Sequence, residues 1–422
     1  MIFNLFNYLK SNNIAFALTN GYEDVISQKD TEADVDMLFQ KKDFKNIEQI
    51  LQKFCRLYNL QLVQVLHHDV YAKNIFLFNP NSMKFLNLDI YADFSRKNLS
   101  FFTEEDVFNT LRYYENIPII SPEKEFIGYL YKKLDKGDLS QENFHHLYML
   151  YQEEKLCEKE LRNFFSETYS IIDESFRLNQ IEKLIHNRKK LLEDINRLKR
   201  ISFKIKVQNL LRVIKRVLKP TGISVSFLGP DGSGKSTVIH NILKTRLPFR
   251  RNDYFHTKPI IVKSLNQTIQ SEPHKHKVYS KPKSYIKILY FIFQYNQGWI
   301  KNIIPLKIKS SFIIFDRYFD DILVDQKRYR YGGSIQFLKF AKLFIPKPEL
   351  YFILTTDPKI IYSRKKEVEF HELSRQVQEY QGLVNGKNYH NIDVSKTPDE
   401  IAQEIIKIIM NKMSMRYKNG EK

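Results

Sequence analysis

The chain has 422 residues, a formal net charge of +19 and 43% hydrophobic residues. That length exceeds one ordinary core and predicts two domains with a connector, while the apolar share excludes a disordered chain. Its two cysteines, Cys55 and Cys157, form no ligand spacing, which argues against a disulfide framework or a zinc site and fits a reducing cytosol.

Met1–Lys10 shows no basic start followed by an apolar run, and no apolar stretch reaches the roughly 18 residues of a membrane span, so a cytoplasmic location is expected. The excess of Lys and Arg fits nucleic acid, an anionic membrane face or a phosphorylated ligand, and fits a merely Lys-rich surface equally well. No motif that reads nucleic acid accompanies it. The oligomeric state is not encoded in any feature of the sequence.

Residues 1–165 mix short apolar runs with helical spacing and predict an α+β domain. Ile14–Leu18, Val35–Phe39, Ile75–Phe78 and Phe85–Tyr91 are the strand candidates. Phe44–Tyr58 has helical periodicity, and Phe126–Leu134 and Phe144–Tyr151 read as helices. In this part Asn20-Gly21 follows an apolar run, Asp34 and Asp36 share one face of a strand, and Asp89 lies in a later strand.

Residues 166–220 read as a basic helical connector. Within it Val207, Leu210, Leu211, Ile214, Val217 and Leu218 fall on one helical face, with Arg212, Lys215, Arg216 and Lys219 on the other. The stripe is expected to dock on one of the domains. The alternative is that residues 204–219 lie on an anionic membrane, which would place the protein peripherally at the inner membrane face.

Residues 221–422 alternate buried strands (Ile223–Leu228, Ser311–Phe315, Leu350–Thr355) with helices (Ser236–Leu247, Ser284–Tyr295, Pro398–Met410). This is the α/β pattern of a parallel sheet covered on both faces. Between the first strand and helix runs Gly229-Pro230-Asp231-Gly232-Ser233-Gly234-Lys235-Ser236-Thr237, a complete Gly-x-x-x-x-Gly-Lys-Ser/Thr loop in the required strand–loop–helix setting. Glycines at 229, 232 and 234 let the backbone N–H groups of the loop, Ser233 included, turn inward around phosphate oxygens. The helix start adds its positive dipole end, Lys235 a full charge, and the Ser236 hydroxyl a magnesium ligand. Asp316-Arg317-Tyr318 closes the next buried strand at the edge where open α/β sheets bind ligands, which suits Asp316 to magnesium and Arg317 to an acceptor phosphate.

The loop, Asp316-Arg317-Tyr318, Pro348-Glu349-Leu350 and Thr356-Asp357-Pro358 together resemble thymidylate kinase over about residues 223–410. The resemblance implies a P-loop kinase domain that uses ATP and Mg2+. Asp231 would orient the acceptor and Arg317 bind its phosphate. Arg364 would open a basic lid helix with Lys365, Lys366 and Arg375, and His390–Thr397 would hold the adenine. The stretch Asp320–Gly333 departs from the family's base pocket, with Asp320, Asp321, Arg328 and Arg330 near the acceptor, and Glu272–Tyr285 with His274 and His276 is longer than a compact kinase needs. Similar extended domains occur in proteins associated with bacterial surface-polysaccharide biosynthesis. The acceptor implied is therefore a nucleoside monophosphate, a related small molecule or a glycan, with an ATP-regulated assembly protein of polysaccharide export as the alternative. At the amino-terminal end, Asn20-Gly21 with Asp34, Asp36 and Asp89 resembles the nucleotidyltransferase fold, which implies metal binding by those acids and a nucleotidyltransferase reaction.

Overall fold

A computed structural model of the chain describes residues 1–27, 34–92, 94–96, 99–152, 158–197, 203–260 and 277–418. The chain forms two compact units, Met1–Ile214 with Tyr417–Lys422, and Lys215–Arg416. Cys157, His274 and His276 lie outside the described residues.

The first unit is built on a seven-stranded mixed sheet. Its strands are β1 (Phe16–Leu18), β2 (Asp34–Phe39), β3 (Gln61–Asp69), β4 (Ala72–Asn79) and β5 (Lys84–Tyr91). A small hairpin follows, β6 (Phe94–Arg96) with β7 (Leu99–Phe102), and then β8 (Arg112–Tyr114) and β9 (Ile117–Ile119) complete the main sheet. The order across it is β3-β4-β5-β2-β1-β9-β8, with β2 and β5 parallel neighbours. Strand alternation feeds two cores. Phe16, Leu18, Val35, Met37 and Phe39 pack with Leu5, Phe6, Leu51 and Phe54 on one side, while Ala17 and Leu38 join Phe126, Leu130, Leu147 and Phe176 on the other. Two covered faces explain why the strand runs are nearly all apolar.

The single helix expected over Phe44–Tyr58 is two, Lys41–Lys45 and Ile47–Leu57, because the chain turns at Asn46. Helices Glu158–Phe165, Tyr169–Arg177, Ile181–His186 and Arg188–Asn196 bury Phe165, Ile172, Phe176, Leu184, Leu191 and Ile195 in the second core. Most of the stretch read as a connector thus packs as part of the first unit. The division between the units falls inside the next helix, Phe203–Leu218. That helix corrects a second expectation: the apolar stripe is turned outward, with Leu211 59% and Leu218 75% exposed.

The second unit carries five parallel strands: β10 (Ile223–Leu228), β11 (Arg251–Phe255), β12 (Ser311–Asp316), β13 (Leu350–Thr355) and β14 (Tyr389–Asp393), ordered β11-β12-β10-β13-β14. Every residue of β10, β12 and β13 is buried, as a sheet covered by helices on both faces requires. This is the expected α/β architecture. Near the start of β10 the half-buried Glu349 accepts from Ser224 N (2.9 Å) and Oγ (2.6 Å) and pairs with Lys307. Partial burial works to raise its carboxyl pKa, but Lys307 and these donors hold it below the usual range. Among the described residues no helix is long and apolar enough to cross a membrane.

Candidate active site

The loop after β10 meets two close approaches that only glycine survives. A Cβ on Gly229 (φ +145°) would stand 2.5 Å from the Leu354 carbonyl at the end of β13, and one on Gly232 (φ +86°) 2.9 Å from Lys365 Cβ. Gly234 caps the helix Lys235–Lys244. Within this ring Lys235 is buried and its Nζ donates to the carbonyls of Gly229 (2.8 Å) and Pro230 (2.9 Å). Burial, and then the nearby Arg317, push the ammonium pKa down to about 8, against the pull of Asp231, Asp316 and Asp321. Ser233 is buried with its hydroxyl lacking a hydrogen-bond partner, whereas Ser236 and Thr237 are exposed on the first turn of the helix.

Parallel pairing sets the second half of the site beside the first. Phe227 of β10 is in register with Asp316 of β12, and Arg317 N donates to the Phe227 carbonyl at 3.0 Å. Arg317 holds φ +80°, a strained conformation for a residue with a side chain and one that recurs at functional sites. Its guanidinium is gripped from two directions: Nη2 by Asp231 Oδ1, and Nη1 by Asp321 Oδ2 at 2.8 Å. Asp321 is fully buried and also accepts from Tyr329 (2.8 Å) and Tyr380. Asp231 takes a second cation, Arg328. Burial opposes its charge, but Arg317, Lys235 and Arg328 outweigh burial and hold the carboxyl far below the usual range. Asp316 accepts from the Tyr254 hydroxyl of β11 at 2.9 Å, and its other oxygen is buried with no partner.

The expectations around the acceptor divide. Arg328 joins the site through Asp231, whereas Arg330 donates to the Lys277 carbonyl and stacks on Tyr279. Asp321 lies behind Arg317 as its anchor. Asp320, expected near the acceptor, is buried instead against Tyr389 (2.9 Å) and Lys342. Arg364 ends the helix Pro358–Arg364 and donates to the Val394 carbonyl at 3.0 Å; the helix that follows begins only at Phe370. Lys365 pairs with Glu367 at 2.7 Å, Lys366 lies over Tyr362, and Arg375 bonds Glu372 and the Val324 carbonyl. In this arrangement the basic residues of the expected lid hold protein partners. A narrow cleft with room for about one water lies beside them, lined by Asp231, Lys365, Glu367, Val368, Leu373 and Gln376. Sequence reasoning missed Tyr254, Tyr329 and Tyr380; the Tyr-rich run 329–331 was the only local signal.

Residues 227–405 match the family model for thymidylate kinase. The second unit is thymidylate kinase-like. It is 27% identical over 201 residues to a probable thymidylate kinase of Pyrobaculum aerophilum, covering 46% of this chain and 98% of that one. It is 24% identical over 204 residues to probable thymidylate kinase 1 of Saccharolobus solfataricus, covering 45% and 97%. Among solved structures, thymidylate kinase from Ehrlichia chaffeensis aligns at 21% identity with a TM-score of 0.33, over 45% of this chain and 99% of that one. The residues matched by the family model take in the loop Gly229–Thr237 from its first glycine and Asp316-Arg317.

In that first unit Asp36 and Asp89 are cross-strand partners in β2 and β5. The acids are taken up by neutral side chains: Asn87 donates to Asp34, Asn74 to Asp89 (2.7 Å), and Asn20 (3.3 Å) and Tyr91 (3.3 Å) to Asp36. Lys132 stands 3.9 Å from Asp36. Burial, with Asp89 adding like charge, raises the Asp36 pKa in spite of Lys132. Among the described residues no three acids, histidines or cysteines converge as metal ligands.

Proposed function

We propose that the chain is an ATP- and magnesium-dependent kinase whose acceptor is a nucleoside monophosphate. The observation that carries this is the double grip on Arg317. A guanidinium held by Asp231 from the phosphate loop and by buried Asp321 from behind presents its remaining N–H groups in one fixed direction, suited to a phosphate monoester. In the reaction an acceptor phosphate oxygen attacks the γ-phosphorus of ATP, one P–O bond forms, the β–γ bridging P–O bond breaks, and ADP leaves with the bridging oxygen.

Lys235 would exchange its two backbone carbonyls for triphosphate oxygens, guided by the inward N–H groups of the loop. The residues present fit a magnesium ion: the Ser236 hydroxyl is exposed at the helix start, and one oxygen of Asp316 is buried without a partner. When bound, the ion would neutralise phosphate charge. Tyr254 would hold the Asp316 carboxylate in place, while Arg328 and the basic residues 364–366 would add positive charge around the transferred group.

A screen of nucleoside monophosphates with labelled ATP tests the reading. Lys235→Ala should lose on the order of 10³-fold in turnover with its melting transition retained; unchanged turnover sinks the proposal. A second reading rests on the cross-strand pairing of Asp36 with Asp89: that the first unit is nucleotidyltransferase-like and binds a metal through these acids. Magnesium titration of wild type against Asp34→Ala with Asp36→Ala decides it, and equal affinity in both refutes it.

A further inference from the structure

The helix Phe203–Leu218 is amphipathic with its hydropathy turned outward. Its half-buried side carries Ile205 with Gln208, Asn209, Arg212 and Arg216. Arg212 donates from Nη1 to the His67 carbonyl at 2.8 Å and from Nε to Asn209 Oδ1 at 3.2 Å, so this face is fastened down. The opposite side presents Val207, Leu210, Leu211, Ile214, Val217 and Leu218, each at least 40% exposed. At 3.6 residues per turn these six form a stripe about 120° wide. Lys206 lies along one edge and Lys215 along the other, both exposed, and Lys219 follows the last turn. The helix sequence contains no Asp or Glu.

Aliphatic side chains gathered in this way are unfavourable in water, and none of the described residues buries the stripe, which suits it to a partner from outside. A second copy would set stripe against stripe and bring each lysine rim against the other, on a chain that already carries +19. Nucleic acid would satisfy the lysines and leave the aliphatic chains wet. An anionic bilayer satisfies both: the stripe enters the boundary between head groups and acyl chains, and the lysines extend along its edges to lipid phosphates. We infer that Phe203–Leu218 is a membrane-surface helix that seats the protein on anionic lipid. With no spanning helix among the described residues, the attachment is peripheral and reversible.

The test is co-sedimentation of the full chain with phosphatidylcholine vesicles that contain or lack phosphatidylglycerol. Binding is expected only with the anionic lipid and should weaken as salt is added. Leu211→Glu combined with Ile214→Glu should abolish it while far-UV circular dichroism and the melting transition stay unchanged. Lys206→Gln and Lys215→Gln, which leave the stripe intact and so guard against a folding defect, should each lower vesicle affinity about fivefold. The inference is overturned if the wild type fails to pellet with anionic vesicles or pellets equally with phosphatidylcholine alone. It is equally overturned if the glutamate variant still binds, or if gel filtration shows a dimer that this variant converts to monomer.

Discussion

Two carboxylates, Asp231 in the second unit and Asp36 in the first, are both largely withdrawn from water, and their protonation is driven in opposite directions. Asp231 contacts Arg317 and Arg328 with Lys235 close by, and these cations overcome burial and hold it ionised. Asp36 has amide and phenol donors, one lysine at 3.9 Å and a neighbouring acid, and burial wins. Burial by itself therefore says little about a site. What distinguishes a charge-handling centre is whether charges of opposite sign are fixed around it, as they are at the carboxyl edge of the parallel sheet.

The largest expected effect strikes the clamp behind Arg317. Asp321→Ala leaves a buried guanidinium short of its inner partner and should cost about 3–5 kcal/mol in urea unfolding, with kinase turnover falling alongside. A loss under about 1 kcal/mol would show that Asp231 alone holds Arg317.

Next comes the proton on Lys235. With a free-enzyme pKa of about 8, the ammonium is charged below that pH, and a bound triphosphate stabilises the charged form and raises its pKa. ATP affinity should be full below about pH 8 and fall by up to about tenfold per pH unit above it, with proton uptake on binding visible by calorimetry in buffers of different ionisation enthalpy. Lys235→Met should flatten that step; a step of the same size in the variant assigns it elsewhere.

The smallest effect is expected at Asp36. Its folded pKa is raised, so the folded state holds the proton more tightly, stability falls as pH rises through the shifted value, and the penalty is complete above it. Asp36→Asn should raise stability at neutral pH by up to about 1 kcal/mol and flatten the acid limb of the melting profile. Destabilisation instead would mean that the carboxylate is held ionised by something its protein neighbours do not supply. Glu349 gives the opposite sign as an internal control. Its folded pKa is lowered, so its contribution is present above the ordinary carboxylate range and lost as pH falls, and Glu349→Gln should remove that part of the acid transition.

The site was legible in parts. Gly229 to Thr237 and Asp316-Arg317 are contiguous motifs whose chemistry travels with their spacing, and the structure brings them together through the register of β10 with β12. Arg364 donates to the Val394 carbonyl here, and a basic residue after a turn reads alike in the sequence whether it faces a ligand or a backbone carbonyl. Asp320 and Asp321 are adjacent in sequence and indistinguishable there. Only the fold sends one to Arg317 and the other to Tyr389 and Lys342. The edge strands β11 and β14 escaped notice because strands covered on fewer sides lack the unbroken apolar run that marks β10, β12 and β13.

What the sequence determined by itself is local: the buried parallel strands, the phosphate loop with its glycines and lysine, and the existence of an amphipathic helix near residues 204–219. Each rests on a periodicity or spacing within a few turns of chain. Tertiary structure decided the rest. It joined Asp231 to Arg317 across 86 residues, and it packed the helices of 169–196, read in the sequence as connector, into the first core. It also turned the stripe of Phe203–Leu218 outward. Those outcomes depend on which surfaces meet, and a helical wheel records that a face is apolar without recording what it will be set against.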